Sequence, residues 1–231
     1  MPETLTPPPR DEAELLQRCH SMAGLTLASL AERFAVPVPT DLRRNKGWSG
    51  QLLEHILGAS AGSQAEPDFV SLGIELKSIP VDRAGRPCES TYVCTVPLDD
   101  CLGQTWERSW LRRKLQRVLW VPIDGEKSIP LGERRVGQAL LWSPDAGEEA
   151  ALRTDWEELM DMVCMGELEQ ISARLGEVLQ IRPKAANARV LSRAVGEDGR
   201  PVLTNPRGFY LRPAFTAAIL RRHYTASAPH S

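Results

Sequence analysis

The sequence predicts an α/β fold of the mixed α+β kind, with a central mixed β-sheet flanked by helices. Three observations carry this. The chain is helical in period up to Gly58, the stretch 69–142 reads as strands divided by Gly- or Pro-containing turns, and helix and strand alternate after it. With 42% hydrophobic residues, the 231-residue chain can bury a core.

The elements follow in order. Residues 1–10 hold four prolines and are expected to be a disordered lead. Asp11 to Ala23 reads as a capped helix with Leu15, Leu16, Cys19 and Met22 on its apolar face. A second helix covers about Thr26 to Phe34 and stops before Pro37 and Pro39. Trp48 to Leu57 is a third, turning Leu52, Leu53, Ile56 and Leu57 inward and ending at Gly58. Strands are expected at 69–79, 90–97, 118–123 and 136–142, with a short helix over Glu107 to Lys114. One long helix or two fill Pro144 to about Ala173, and Glu177 to Ile181 is a strand. A helix near 186–195, a turn at Gly196 to Gly199, a strand at Phe209–Leu211 and a helix at 213–224 close the fold. Residues 11–224 read as a single domain and 225–231 as a disordered tail.

Composition excludes several classes. The longest apolar runs, such as Ala139-Leu140-Leu141-Trp142, are too short to span a bilayer. The opening MPETLTPPPR lacks a signal pattern, so a cytoplasmic location is expected. Cys19, Cys88, Cys94, Cys101 and Cys164 are scattered without a CxxC pair, which indicates neither a zinc site nor a disulfide framework. The net charge of −2 conceals a gradient: residues 182–231 hold nine Lys/Arg against two acids, leaving −9 for residues 1–181. Arg108, Arg112, Arg113, Lys114 and Arg117 form a second basic knot. Local fields of this kind suit a phosphate backbone as partner.

The chemistry concentrates in Pro67-Asp68, six residues, then Glu75-Leu76-Lys77. In a strand, Glu75 and Lys77 share a face. A turn at Ser71, Leu72 and Gly73 can return Asp68 to the same spot. Two acids and a cation at one point are what a divalent metal, a scissile phosphate and an attacking water require. In a chain that is 25% charged the pattern alone is also compatible with a solvated strand face. Glu54, on the preceding helix, can reach in as a further ligand or water-positioner.

Proline followed by Asp-x6-Glu-x-Lys resembles the PD-(D/E)xK arrangement of type II restriction endonucleases. The surrounding words resemble the MutH family of strand-discriminating endonucleases. They include Lys46-Gly47-Trp48, Leu53-Glu54, Leu57 to Ser63, Asp68-Phe69, Gly73-Ile74-Glu75-Leu76-Lys77 and Arg117-Val118-Leu119-Trp120. Asp155-Trp156-Glu157-Glu158-Leu159-Met160, Ile181-Arg182-Pro183-Lys184 and Pro206-Arg207-Gly208-Phe209-Tyr210 continue the likeness. It runs in one order from about residue 11 to 224.

The resemblance implies a restriction-endonuclease-like fold with a catalytic lobe at 11–105 and a DNA-reading lobe at 106–224 forming a DNA cleft. It implies Glu54, Asp68, Glu75 and Lys77 as catalytic residues, with Asp68, Glu75 and Glu54 holding Mg2+. The implied DNA contacts are Lys46, Tyr92, Lys114, Arg182, Pro183, Lys184, Arg207 and Tyr210. The implied activity is nicking of the unmethylated strand at hemimethylated GATC duplex, 5′ to the G, by a monomer that MutL activates and through it MutS. Lys184 and Tyr210 are the expected sensors of adenine methylation. Two other activities fit the same residues: a free-standing GATC restriction endonuclease making double-strand breaks, and a catalytically silent GATC-binding module.

Overall fold

The computed structural model describes residues 6–39, 47–62, 66–184 and 189–226. They form two compact units, each discontinuous in sequence. The first takes residues 1–88, 117–143 and 220–231, and the second takes 89–116 and 144–219. This division differs from contiguous lobes at 11–105 and 106–224, because strands near 118–142 return to pair beside Glu75.

In the first unit, α1 (Glu12–Met22) is capped by Asp11, whose carboxylate accepts the Glu14 N–H at 2.8 Å. Thr26 caps α2 (Leu27–Arg33) in the same way. α3 (Trp48–Leu57) ends at Gly58, which has φ 82°. A side chain at Gly58 would also strike the Pro7 carbonyl, 2.4 Å from the Cβ position, so both conformation and space require glycine there. That carbonyl accepts an Arg18 N–H at 2.7 Å, which ties residue 7 to α1.

β1 (Glu75–Val81) runs parallel to β3 (Val118–Asp124), with Glu75 opposite Val118, and β4 (Leu140–Trp142) pairs antiparallel on the far side of β3. The expected mixed sheet is therefore this three-stranded one, in the order β1-β3-β4. Helices α1 to α3 bury Leu15, Leu30, Leu53 and Leu57 in one core with Ile74, Leu119 and Val121.

The second unit holds an antiparallel sheet of β2 (Thr91–Thr95), β8 (Arg207–Leu211) and β5 (Leu179–Pro183), in that order. α4 (Trp110–Leu115) follows a short 3-10 turn at Trp106–Arg108. α5 (Ala146–Cys164) opens on a capping box of Asp145 and Glu148. α6 (Pro213–Ala226) begins in this unit, and its residues from Leu220 onward belong to the first.

Several expectations need correction. The strand expected at 69–79 starts at Glu75, because Val70–Leu72 forms a 3-10 turn. The strand at 136–142 contracts to 140–142. α5 stops at Cys164 rather than near 173. Gly166, at φ 78°, turns the chain, and a Cβ there would meet the Gly196 carbonyl carbon at 2.3 Å. No helix occupies the described part of 186–195. Ser192–Val195 is β6, paired with an unexpected strand β7 (Pro201–Thr204). Val190, Leu191, Ala194 and Val195 recur at helical spacing, but the Gly196–Gly199 turn decides for a hairpin through a Gly196 N–H to Arg200 carbonyl bond of 2.8 Å. Among the described residues no helix is long and apolar enough to cross a membrane.

The N-terminal helix carries a pH-sensitive clamp. Glu14 accepts from the Arg10 side chain at 2.8 Å, its backbone N–H at 3.0 Å, and Arg18 at 2.7 Å. These bonds lower its pKa to about 2 from an ordinary 4.5. A depressed carboxylate pKa stabilises the fold above the ordinary value, and that contribution is lost as pH falls through the folded value. Glu14→Gln is therefore expected to lower Tm near neutral pH, with the deficit shrinking from about pH 4.5 toward about pH 2. A constant deficit across that range in thermal melts would contradict the assignment.

Candidate functional site

The catalytic candidates assemble on β1 in the first unit. After the buried Pro67, Phe69 and Ile74 form a β-bridge around the Val70–Leu72 turn, which Gly73 closes at φ 65°. The hairpin brings Asp68 back, so that its Oδ2 accepts the Leu76 N–H at 2.7 Å. The segment leaving α3 fixes the backbone of Asp68, because Ser60 and Ala61 donate to its carbonyl at 2.9 and 3.3 Å. Glu75 and Lys77 project from one face of β1, where Lys77 Nζ lies 2.5 Å from Glu75 Oε1. Glu75 is only 1% exposed, and burial of a carboxylate at that depth needs a charged partner, which Lys77 supplies.

A residue outside the expected set helps hold Glu75. The Glu75 N–H donates to the Arg117 carbonyl at 3.0 Å. The Arg117 guanidinium grips Glu12 with two bonds of 2.9 and 2.6 Å, and this pairing lowers the Glu12 pKa. Nothing in the sequence spacing links residues 12, 75 and 117; only the parallel β1–β3 register does.

Glu54 sits half-buried on α3, which packs on β1. Among the described residues, no three His, Cys, Asp or Glu side chains converge closely enough to cage a metal. The donor set nevertheless suits magnesium. Asp68 and Glu75 are hard oxygen donors, and Mg2+ is commonly held by one or two carboxylates while keeping waters and taking phosphate oxygens.

The base-reading candidates gather on the β2-β8-β5 sheet of the second unit. Cross-strand register places Tyr92 opposite Tyr210, Gln180 opposite Tyr210 and Arg182 opposite Gly208. The two tyrosine rings meet edge to face at 5.4 Å. Arg182 lies 5.6 Å above the Tyr210 ring and donates to Ser90 Oγ at 2.7 Å. Lys184 Nζ lies 4.0 Å above the Tyr92 ring, and its backbone N–H is held by the Pro206 carbonyl at 2.7 Å. Arg182, Pro183 and Lys184 are all exposed. Burial, and then Tyr92, push the Tyr210 hydroxyl pKa up, so the group stays protonated and able to donate.

Three further expected contacts are not part of this tyrosine face among the described residues. Strand alternation puts Arg207 on the face opposite Tyr210, where its side chain is 12% exposed and reaches Glu169 at 3.2 Å. It belongs to the underside of the sheet, not to the tyrosine face. Lys114 is on α4, with its ammonium 5.2 Å above the Trp110 ring. Lys46 lies outside the described residues.

Asp155 is the site-supporting residue that sequence reasoning missed. It is 5% exposed, and its carboxylate accepts the backbone N–H groups of Glu177, Val178 and Leu179 at 2.7–2.9 Å. It thereby fixes the start of β5, whose other end presents Arg182 and Pro183. The sequence offered it only as an acid within helical apolar spacing and within a family word, neither of which points to β5.

Residues 57–155 match the family model described as DNA mismatch repair enzyme MutH. A DNA mismatch repair protein MutH from Serratia proteamaculans is 56% identical over 220 residues, covering 95% of this chain and 96% of its own. Its counterpart in Klebsiella pneumoniae (strain 342) is 57% identical over 95% of both chains. That in Salmonella paratyphi B is 57% identical over 97% of both. The chain belongs to the MutH family. Family membership carries the restriction-endonuclease-like fold, and the mixed α/β architecture with β1 as carrier of the acidic cluster agrees with it. The family is one of DNA mismatch repair enzymes.

Proposed function

We propose that this protein is a Mg2+-dependent endonuclease that nicks the unmethylated strand of hemimethylated GATC duplex during methyl-directed mismatch repair. It would act as a cytoplasmic monomer that MutL activates, with MutS acting through MutL. The observation that carries the reading is Asp68 hooked onto the Leu76 amide beside the buried Glu75–Lys77 pair, in a chain of the MutH family.

In this reading Asp68 and Glu75 hold Mg2+, with Glu54 as the third acid. Bound there, the ion lowers the pKa of an attacking water and neutralises charge on the phosphate. The remaining work falls to the chain itself. Glu75, kept in place by the Arg117 carbonyl, holds the Lys77 ammonium near the scissile phosphate, where its N–H groups favour the extra negative charge of the transition state. Water adds to phosphorus as the bond to the 3′ oxygen breaks, and the leaving oxygen takes a proton. On the other unit, Arg182 has the donor fork that pairs with guanine O6 and N7 in the major groove. Lys184 and Tyr210 offer donors where the N6 methyl group of adenine would sit. Lys46 and Lys114 would bind the backbone.

The test uses GATC duplexes that are unmethylated, hemimethylated or fully methylated, with and without Mg2+, and with and without MutL and ATP. Weak nicking alone, strong nicking with MutL, and sparing of fully methylated DNA are expected. Equal cutting of fully methylated duplex would overturn methyl sensing. Double-strand breaks as the primary product would favour a restriction enzyme, and absence of any metal-dependent turnover a binding module.

A further inference from the structure

Gly208 stands in the middle of the aromatic face, yet its backbone does not require glycine. It is absent from the positive-φ glycines, so space and not conformation explains it. Thr95 of β2 pairs with it on one side and Arg182 of β5 on the other. A Cβ at this position would lie 2.8 Å from Tyr92 Cε2, and 3.2 Å from both Tyr92 Cδ2 and Tyr210 Cε2. Favourable carbon contacts begin at about 3.5 Å, so the Tyr92 ring occupies the volume a side chain would fill. That ring is further held by a 3.1 Å hydrogen bond between its hydroxyl and Thr95 Oγ1. Lys184 Nζ lies 4.0 Å from the ring centroid, and the Tyr92 and Tyr210 rings meet edge to face.

We propose that Gly208 is a positioning residue for base and methyl discrimination: by lacking a side chain it seats Tyr92 on β8, and Tyr92 sets where Lys184 and Tyr210 present their donors. The inference rests on the GATC-reading function proposed above. It adds a residue that touches no base and acts through the ring it accommodates. A methyl group here lifts the Tyr92 ring and shifts both donors away from the base edges together.

The experiment measures binding of the full chain to GATC duplex and to duplexes with one base pair of the site changed, by fluorescence anisotropy in Ca2+. Gly208→Ala is expected to reduce the preference for GATC by about tenfold, comparable to losing one base contact. The slope of log Kd against log salt should stay at its wild-type value, because phosphate contacts are untouched. A merely destabilised protein would lose affinity for all duplexes alike. In a Tyr92→Ala background the added methyl has no ring to displace, and Gly208→Ala should change the preference by less than about twofold. Equal losses in both backgrounds overturn the inference. Should Gly208→Ala alone fail to fold, folding of the Tyr92→Ala, Gly208→Ala protein supports it. Failure of that double variant where Tyr92→Ala folds overturns it. Wild-type protein with no preference for GATC overturns the functional reading, and with it the inference, before any variant is compared.

Discussion

Lys77→Ala and Glu75→Ala are each expected to reduce nicking by at least about 10²–10³-fold, the scale seen when one group stabilising transition-state charge is removed. The two losses have different secondary effects. Removing Lys77 leaves a carboxylate 1% exposed without its 2.5 Å partner, a change that costs on the order of 3–5 kcal/mol for fully buried pairs. Removing Glu75 leaves an ammonium whose side chain is 14% exposed and whose long stem can carry the charge toward water, at lower cost. Lys77→Ala should therefore be the less stable variant in EDTA, and Mg2+ should restore part of its Tm by offsetting the buried Glu75 charge. Single-turnover nicking and thermal melts with and without Mg2+ read both effects. Retention of wild-type nicking by either variant would end the catalytic assignment.

Asp155→Ala is expected to lower stability by about 3–5 kcal/mol, because three backbone N–H groups lose a charged acceptor at once. The chain also approaches closely at this point, where only a glycine at position 176 leaves room for the Leu179 carbonyl and the Asp155 carboxylate. Asp155→Asn should fall in between, as one oxygen becomes an NH2 donor facing the same N–H groups. Urea unfolding of the three proteins measures the series. A loss below about 1 kcal/mol for the alanine variant would mean that water takes over the acceptor role.

The site was unevenly legible in the sequence. Asp68, Glu75 and Lys77 were readable because strand alternation and a six-residue return are local geometry, and the hairpin with its Gly73 turn is what the structure contains. The Arg182–Lys184 segment was readable as charge. The face that Arg207 takes was not readable from its place among the expected DNA contacts: three residues from Tyr210, an odd separation in a strand, it lies on the opposite side of the sheet. The β6–β7 hairpin was not legible because the apolar residues at its start recur at helical spacing, and only pairing across the Gly196–Gly199 turn makes them a strand. Arg117, Asp155 and Gly208 stood in the sequence as charge or as parts of family words, but their positioning roles were not readable, since each acts through a partner distant in sequence.

By itself, then, the sequence determined the mixed α/β class, the first three helices, the acid-acid-lysine cluster and the family likeness. These depend on side-chain period, on turn and cap chemistry within a few residues, and on words that stand in one order. Tertiary structure alone decided which distant residues hold the cluster in shape. The parallel pairing of β1 with β3 brings Arg117 to Glu75, and the β2-β8-β5 register lays Tyr92 over Gly208. Such pairings follow from strand register between segments far apart in the chain, a quantity that local periodicity does not encode.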